Sequence, residues 1–231
     1  MLGRMKISSS NIGTSTQLGG GQTVWTPPPG THPMSVLLFG KRPPKRVDRR
    51  KHPKLGKSLS KLEYVKDQLS ELLGRQGKEL SLELCEGENA CISRDGEISF
   101  GVELLERHGD DDDLMVAVLG HEIGHQPWTW PEQLDPRGMT KAKLDAIYRE
   151  EEAKADRFAG RILAELGARP DSICDFLRAR ESFEAVKPTD YYPAETRARI
   201  IRGAFQRRGR ALELKQRDLF GNARASTREL R

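Results

Sequence analysis

Residues 113–125 read DLMVAVLGHEIGH, an apolar stretch that carries the pattern H-E-x-x-H. Its apolar residues recur at intervals of three and four, which is typical of a helix with a buried face. On such a helix His121 and His125 are one turn apart and point the same way. Two imidazoles so arranged can bind a zinc ion, with Glu122 beside the position left open for water. The motif is short, so a buried helix that happens to contain two histidines is the alternative.

Charge is distributed unevenly along the 231-residue chain, although its formal net charge is only +5. Residues 41–61 carry ten Lys and Arg against one acidic residue, and residues 197–231 carry eleven against three. The stretch between these basic arms, 62–196, carries 16 basic and 30 acidic side chains. Arms of this kind can contact a nucleic acid, an anionic membrane or an acidic partner, or they can remain solvated.

The cysteines and the apolar runs predict the compartment. Cys85, Cys91 and Cys174 lack the spacing of a metal site, and their odd number argues against a complete disulfide framework. Buried free thiols are typical of a reducing compartment. The N-terminus lacks the apolar core of a signal peptide, and no run approaches the roughly 18 apolar residues of a membrane span. The sequence therefore predicts a cytoplasmic protein without a transmembrane segment.

The pattern of apolar, turn and capping residues predicts a mainly helical α+β protein in three parts. Residues 1–57, rich in Ser, Gly, Pro and basic side chains, are expected to form a disordered arm. A globular domain follows at 58–206, and residues 207–231 are expected to form a basic tail. Helices are predicted at 58–73, 113–125, 140–166, 171–184 and 194–205, the last with a restart across 210–218. Strands are predicted at 80–85, 90–93 and 97–101, in a small antiparallel sheet with a hairpin turn at Asp95-Gly96.

The predicted helix 140–166 holds the candidates for a third metal ligand. Glu152 falls on one stripe with Asp156 and several small apolar residues, whereas Glu150 aligns with a basic, exposed face. Carboxylates on an apolar inner face are costly unless a cation meets them. A zinc ion held by Glu152 and the two motif histidines is such a cation, and Asp156 can then accept a hydrogen bond from a ligating imidazole. The alternative is that Glu152 and Asp156 pair with a buried arginine.

These motifs make the chain similar to the catalytic domain of the family-48 metallopeptidases, the gluzincins that include HtpX-type and CAAX-prenyl endopeptidases. The resemblance covers roughly residues 60–205. It is carried by matched residues at 89–90, 98–105, 118–125 and 152–156. The resemblance implies a zincin-like fold and a zinc-dependent endopeptidase that acts on a protein or peptide substrate. The membrane-spanning helices of better-known members have no counterpart in this sequence.

The resemblance also implies the roles of individual residues. Zinc would be bound by His121, His125 and Glu152, with Asp156 behind one of the imidazoles. Glu122 would act as the general base for a water molecule that attacks the peptide carbonyl.

The donor to the oxyanion is where this chain departs from the family pattern. Family members often carry a His-Pro pair with an Arg four residues after the His. Here Tyr192 precedes Pro193, and Arg197 lies one position further on than that spacing. Tyr192, the neighbouring Tyr191 and Arg197 are therefore the candidates, since a phenol and a guanidinium both donate hydrogen bonds.

Two other functions fit the same residues. One is a non-catalytic interaction or regulatory module that zinc stabilises and whose basic arms bind nucleic acid or another polyanion. The other is an endopeptidase of narrow specificity that cleaves a single regulator.

Overall fold

The computed structural model describes residues 14–18, 22–26, 45–74, 79–93, 95–129, 139–183 and 191–226, with the backbone alone in the first two ranges and at 216–226. The strands are β1 (Thr14–Leu18), β2 (Gln22–Thr26), β3 (Ser81–Cys85), β4 (Ala90–Ile92) and β5 (Glu97–Gly101). The α-helices are α1 (Gly56–Leu73), α2 (Val102–His108), α3 (Asp112–His125), α4 (Lys141–Leu166), α5 (Asp171–Phe183) and α6 (Ala194–Ser226). The predicted class, α+β and mainly helical, is confirmed.

Helix α3, which carries the H-E-x-x-H motif, is the central helix of the domain. The Asp111 side chain caps it by accepting the N–H of Leu114 at 3.0 Å, and two further aspartates lie in its first turn. Negative charge at this end complements the helix dipole, as the acidic run before the motif predicts. Helices α1, α4 and α5 and strand β4 all pack against α3. Almost every residue of α3 is consequently buried, not only one stripe.

Helix α4 begins and ends where the sequence predicts. The hydroxyl of Thr140 accepts the N–H of Lys143 at 3.3 Å, and Gly167 ends the helix in the left-handed conformation with φ of 69°. Since no kink or insertion is needed between these caps, the register that places Glu152 and Asp156 on one face holds. Both side chains are buried, which the register argument requires.

The three-stranded sheet has the order β3-β5-β4, and its predicted antiparallel arrangement is only partly correct. Strands β4 and β5 form the predicted antiparallel hairpin, with Gly96 in its turn at φ of 86°. Strand β3 instead pairs with the other edge of β5 in parallel. The reason is that the chain reverses direction twice, once in the turn between β3 and β4 and once in the β4–β5 hairpin, so β5 runs in the same direction as β3 and lies between it and β4.

The stretch predicted as a disordered arm contains regular structure. Strands β1 and β2 form an antiparallel hairpin. Residues 45–47 pair with the outer edge of β3, where Val47 donates to the carbonyl of Leu84 at 2.9 Å. Two 3-10 turns, Arg49–Lys51 and Pro53–Leu55, then lead into α1. Disorder is therefore the wrong prediction for these residues. Their polar composition favours disorder, but backbone pairing and the burial of Leu55 hold the segment in place.

The C-terminal stretch also differs from the prediction. Helix α6 continues without a break from Ala194 to Ser226, whereas the sequence predicts an end near residue 205 and a restart across 210–218 in a basic tail. Gly209 lies inside it. One glycine costs a helix only about 1 kcal/mol, which the Ala, Leu, Glu, Lys and Arg around it offset.

Candidate metal centre

Close packing of α3 against α4 brings the candidate ligands together. A Cβ atom at Gly124 would lie 2.8 Å from the Cβ of Phe158 and 2.9 Å from the Cα of Ala155. Only glycine therefore permits the two helices to approach this closely beside the motif. As a result, the histidines of α3 face Glu152 of α4 across a short, buried gap.

The three predicted ligands converge in the structure. The Nε2 atom of His121 lies 3.2 Å from Glu152 Oε2, and the Nε2 atom of His125 lies 3.7 Å from Glu152 Oε1. One potential ligand atom from each of the three residues lies within 4.8 Å of the other two. Ligands at three corners of a tetrahedral zinc site are about 3.4 Å apart, as zinc–ligand bonds of about 2.1 Å require. Two imidazoles and a carboxylate that converge in this way could hold a metal ion.

Asp156 occupies the position behind His121 that the helical register predicts. Its Oδ1 atom lies 3.0 Å from His121 Nδ1, which leaves the Nε2 atom facing Glu152. This contact orients the imidazole, and in the neutral form of His121 it would keep the proton on Nδ1 and leave Nε2 free, which is how a carboxylate supports a metal-bound histidine.

Arg197, predicted as a candidate oxyanion donor, holds the carboxylates instead. Its Nε and Nη2 atoms each donate to Asp156 at 2.8 Å, and Nη2 also lies 3.3 Å from Glu152 Oε2. Its side chain is only 13% exposed. The guanidinium therefore donates to the carboxylates of the cluster. The sequence offered a buried arginine as the alternative to a metal ion, and this arginine is present beside the three candidate ligands.

Charge balance nevertheless leaves room for another cation. Ionised Glu152 and Asp156 carry two negative charges, and Arg197 offsets one of them. Burial opposes a charge on His121, but the hydrogen bonds to Asp156 and Glu152 outweigh it and raise the pKa of His121 to about 10. When no metal is bound, a proton on His121 thus supplies the missing positive charge. A metal ion bound by the three ligands would take over that role.

Burial also sets the protonation of the two neighbouring groups. Burial lowers the pKa of His125 to about 4, so its imidazole is neutral near pH 7 and available as a ligand. The side chain of Glu122 is 8% exposed, and burial raises its pKa to about 7. A carboxyl group with such a pKa can both accept and return a proton at neutral pH.

The structure does not bring Tyr192 into this cluster. Its hydroxyl donates to Glu150 Oε1 at 2.6 Å, on the exposed face of α4. Tyr191 is 38% exposed, and its ring lies 5.3 Å from the guanidinium carbon of Arg197. Tyr192 therefore ties the start of α6 to α4, and the geometry gives no support to its predicted role as an oxyanion donor.

One neighbour of the cluster carries no signal in the sequence. Cys91 of β4 lies near Glu122: burial, and then the charge of that carboxylate, raises the pKa of the thiol. Strand β4 is an outer strand of the described three-stranded sheet, and it packs against α3, the helix of the candidate base. The cysteine spacing predicts only a free thiol. Cys91 and Glu122 are far apart in the sequence, so no local pattern shows that they lie close together in the fold.

Comparisons with protein-family models, with curated proteins and with solved structures find no match to this chain. None of the described helices is long and apolar enough to cross a membrane. The cytoplasmic location and the contact of the basic arms with a polyanion stay predictions.

Proposed function

We propose that the protein is a zinc-dependent endopeptidase. The observation that carries the proposal is the convergence of His121, His125 and Glu152 from two helices, with Glu122 buried beside the first histidine. Two imidazoles and one carboxylate form the donor set of catalytic zinc sites, which keep a fourth position open for water or substrate.

Peptide hydrolysis at this site would use a metal ion and the side chains around it. Zinc bound by this donor set would lower the pKa of a water molecule toward neutrality and polarise the scissile carbonyl. Glu122 would take the proton of the attacking water and later deliver it to the leaving amine, a task that its pKa of about 7 suits. Asp156 would keep His121 in one orientation, and Arg197 would keep Asp156 ionised and in place.

A peptide substrate is supported by the position of β4. The outer edge of a sheet presents main-chain groups that can pair with an extended peptide. Since β4 packs against α3 and Cys91 lies near Glu122, a peptide paired with β4 would pass close to the candidate base. Main-chain pairing of this kind binds many sequences, and selectivity must then come from side chains around the strand.

The alternative is a non-catalytic module that zinc stabilises and whose basic arms bind a polyanion. Structural zinc sites usually have four protein ligands. In the part of the chain that the structure describes, the cluster offers three. A buried carboxyl group with a raised pKa next to an incomplete ligand set favours catalysis.

The experiment that tests the proposal compares zinc content with proteolysis in the full-length protein. Elemental analysis is expected to find about one zinc per chain, and the double variant His121→Ala/His125→Ala is expected to lose it. Glu122→Gln should retain zinc and lose cleavage of an unstructured protein such as casein. Glu71→Gln, at an exposed glutamate of α1, is the control that should retain both. Undiminished cleavage by Glu122→Gln would remove Glu122 from the role of base.

A protease that acts on a single regulator would leave casein intact. Proteomic comparison of new protein N-termini in cells that express the wild type or Glu122→Gln covers that case. Cleavage sites that disappear with the variant support the proposal. Identical sets of N-termini, together with zinc held in both proteins, would favour the non-catalytic module.

A further inference from the structure

Arg180, near the end of α5, differs from the other arginine on its part of that helix. Arg178 is paired with Asp175 at 3.0 Å and with Glu195 at 2.9 Å. Arg180 instead donates from Nη2 to the amide oxygen of Asn89 at 2.7 Å, and none of the described carboxylates forms an ion pair with it. Its side chain is exposed. A guanidinium has five N–H donors, and among the described residues only Asn89 accepts from them, so the others can meet a group that arrives from solvent.

The hydrogen bond to Asn89 fixes Arg180 at one end of β4. Asn89 immediately precedes β4, and its carbonyl accepts the N–H of Gly101 at 2.8 Å, which ties it to the end of β5. Helix α5 packs against α3, the helix that carries Glu122. Strand β4 packs against α3 as well, so the hydrogen bond to Asn89 holds the guanidinium at one end of a strand that contacts the helix of the candidate base.

The neighbouring arginine, Arg197, is not available for the same task. It is buried and forms a two-point contact with Asp156. Moving it toward a substrate would leave a buried carboxylate without its partner, at a large cost. Of these two arginines, Arg180 is therefore the one that a substrate can reach, because its side chain is exposed.

We propose that Arg180 recognises a carboxylate of the substrate, either a free C-terminus or an acidic side chain close to the scissile bond. The inference rests on the proposed peptidase function and names the substrate class of that site. Guanidinium and carboxylate form paired, parallel hydrogen bonds, which give selectivity as well as affinity. Asn89 positions the guanidinium, and main-chain pairing along β4 would bring the carboxylate to it.

Two other roles for Arg180 make different predictions. A donor to the oxyanion would act on every substrate, charged or neutral. An anchor that only holds the turn before β4 would, when removed, weaken the binding of all peptides alike. Recognition of a carboxylate affects charged peptides and leaves neutral ones unchanged.

Equilibrium binding separates these roles without relying on turnover. The protein is full-length Glu122→Gln supplied with Zn²⁺, and the probes are three pools of N-acetylated hexapeptides, randomised over uncharged residues. One pool carries a free C-terminal carboxylate, the second a Glu at the third position and an amidated C-terminus, and the third is neutral and amidated. Equilibrium dialysis with mass spectrometry measures how much of each pool the protein retains.

The expected result is retention of at least one carboxylate pool about tenfold above the neutral pool, and the retained pool tells which source of carboxylate is used. Adding Arg180→Gln should abolish this difference and leave the neutral pool unchanged. Adding Arg178→Gln is the matched control and should preserve it. The difference should also shrink at high salt, because the guanidinium is exposed.

Three results would overturn the inference. They are equal retention of all pools, a preference for carboxylate that survives Arg180→Gln, and an equal loss of all three pools in that variant. Failure of the peptidase proposal has a different signature, namely identical sets of protein N-termini with the wild type and Glu122→Gln while both proteins hold zinc. Selective binding of carboxylates through Arg180 in a protein that cleaves nothing would therefore reject the activity and retain the recognition.

Discussion

Replacement of Gly124 by alanine tests whether helix packing builds the metal centre. The added Cβ would lie 2.9 Å from the Cα and 3.0 Å from the carbonyl oxygen of Ala155, both backbone atoms of α4. Carbon atoms pack best at about 3.5 Å or more, so α3 and α4 must separate locally by about 0.6 Å. Overpacking of this kind typically costs about 1–3 kcal/mol of unfolding free energy. The same shift would move Glu152 away from His121 and His125, and metal ligands tolerate changes of only about 0.2 Å.

We expect Gly124→Ala to lower the unfolding free energy of the metal-free protein and to weaken zinc binding by about tenfold or more. Urea denaturation with EDTA present measures the first effect, and competition with a chromophoric zinc chelator measures the second. Gly120→Ala, one turn earlier, is the matched control, since its Cβ would meet its nearest neighbours at 3.4 Å. That variant should keep both properties within a few-fold. Unchanged zinc affinity in a folded Gly124→Ala protein would refute the link between helix spacing and the site.

Further predictions concern the charged groups around the centre. Arg197→Met should lower the unfolding free energy by about 3–5 kcal/mol in urea denaturation, because it removes the two-point arginine contact of buried Asp156 and leaves His121 alone to balance the two carboxylates; a loss below about 1 kcal/mol would contradict this. The pKa of His121 rises from 6.5 to about 10 when no metal is bound, so its contribution to stability is complete below pH 6.5 and is lost as the pH rises through 10. The urea midpoint with EDTA should therefore fall over that interval, and calorimetry at pH 8 in buffers of different ionisation enthalpy should detect about one proton released on zinc binding. Tyr192→Phe should leave kcat/KM unchanged, since the hydroxyl contacts Glu150; a fall of tenfold or more would restore its predicted role at the site.

The local features of the site could be predicted from the sequence. Helical geometry relates residues three and four apart, so the pattern in α3 and the register of α4 were sufficient to select His121, His125, Glu152 and Asp156. Caps such as Asp111 act within one turn, and they place the helix ends for the same reason. The β4–β5 hairpin is likewise a matter of a few neighbouring residues.

Contacts between distant residues were decided only by the tertiary structure. The chain has 39 Lys and Arg, so composition could not select Arg197 as the partner of Asp156 or Arg180 as the partner of Asn89, 91 residues away. Both pairings depend on how α5 and α6 pack against the other helices and the sheet. The same packing places Tyr192 on the outer face of α4, where its hydroxyl contacts Glu150. The pairing of β3 with β5 has the same origin, because the sequence of turns does not say whether β3 joins the sheet beside β4 or beside β5. Helical periodicity thus determined which side chains face inward, whereas the packing of whole elements determined which of them meet.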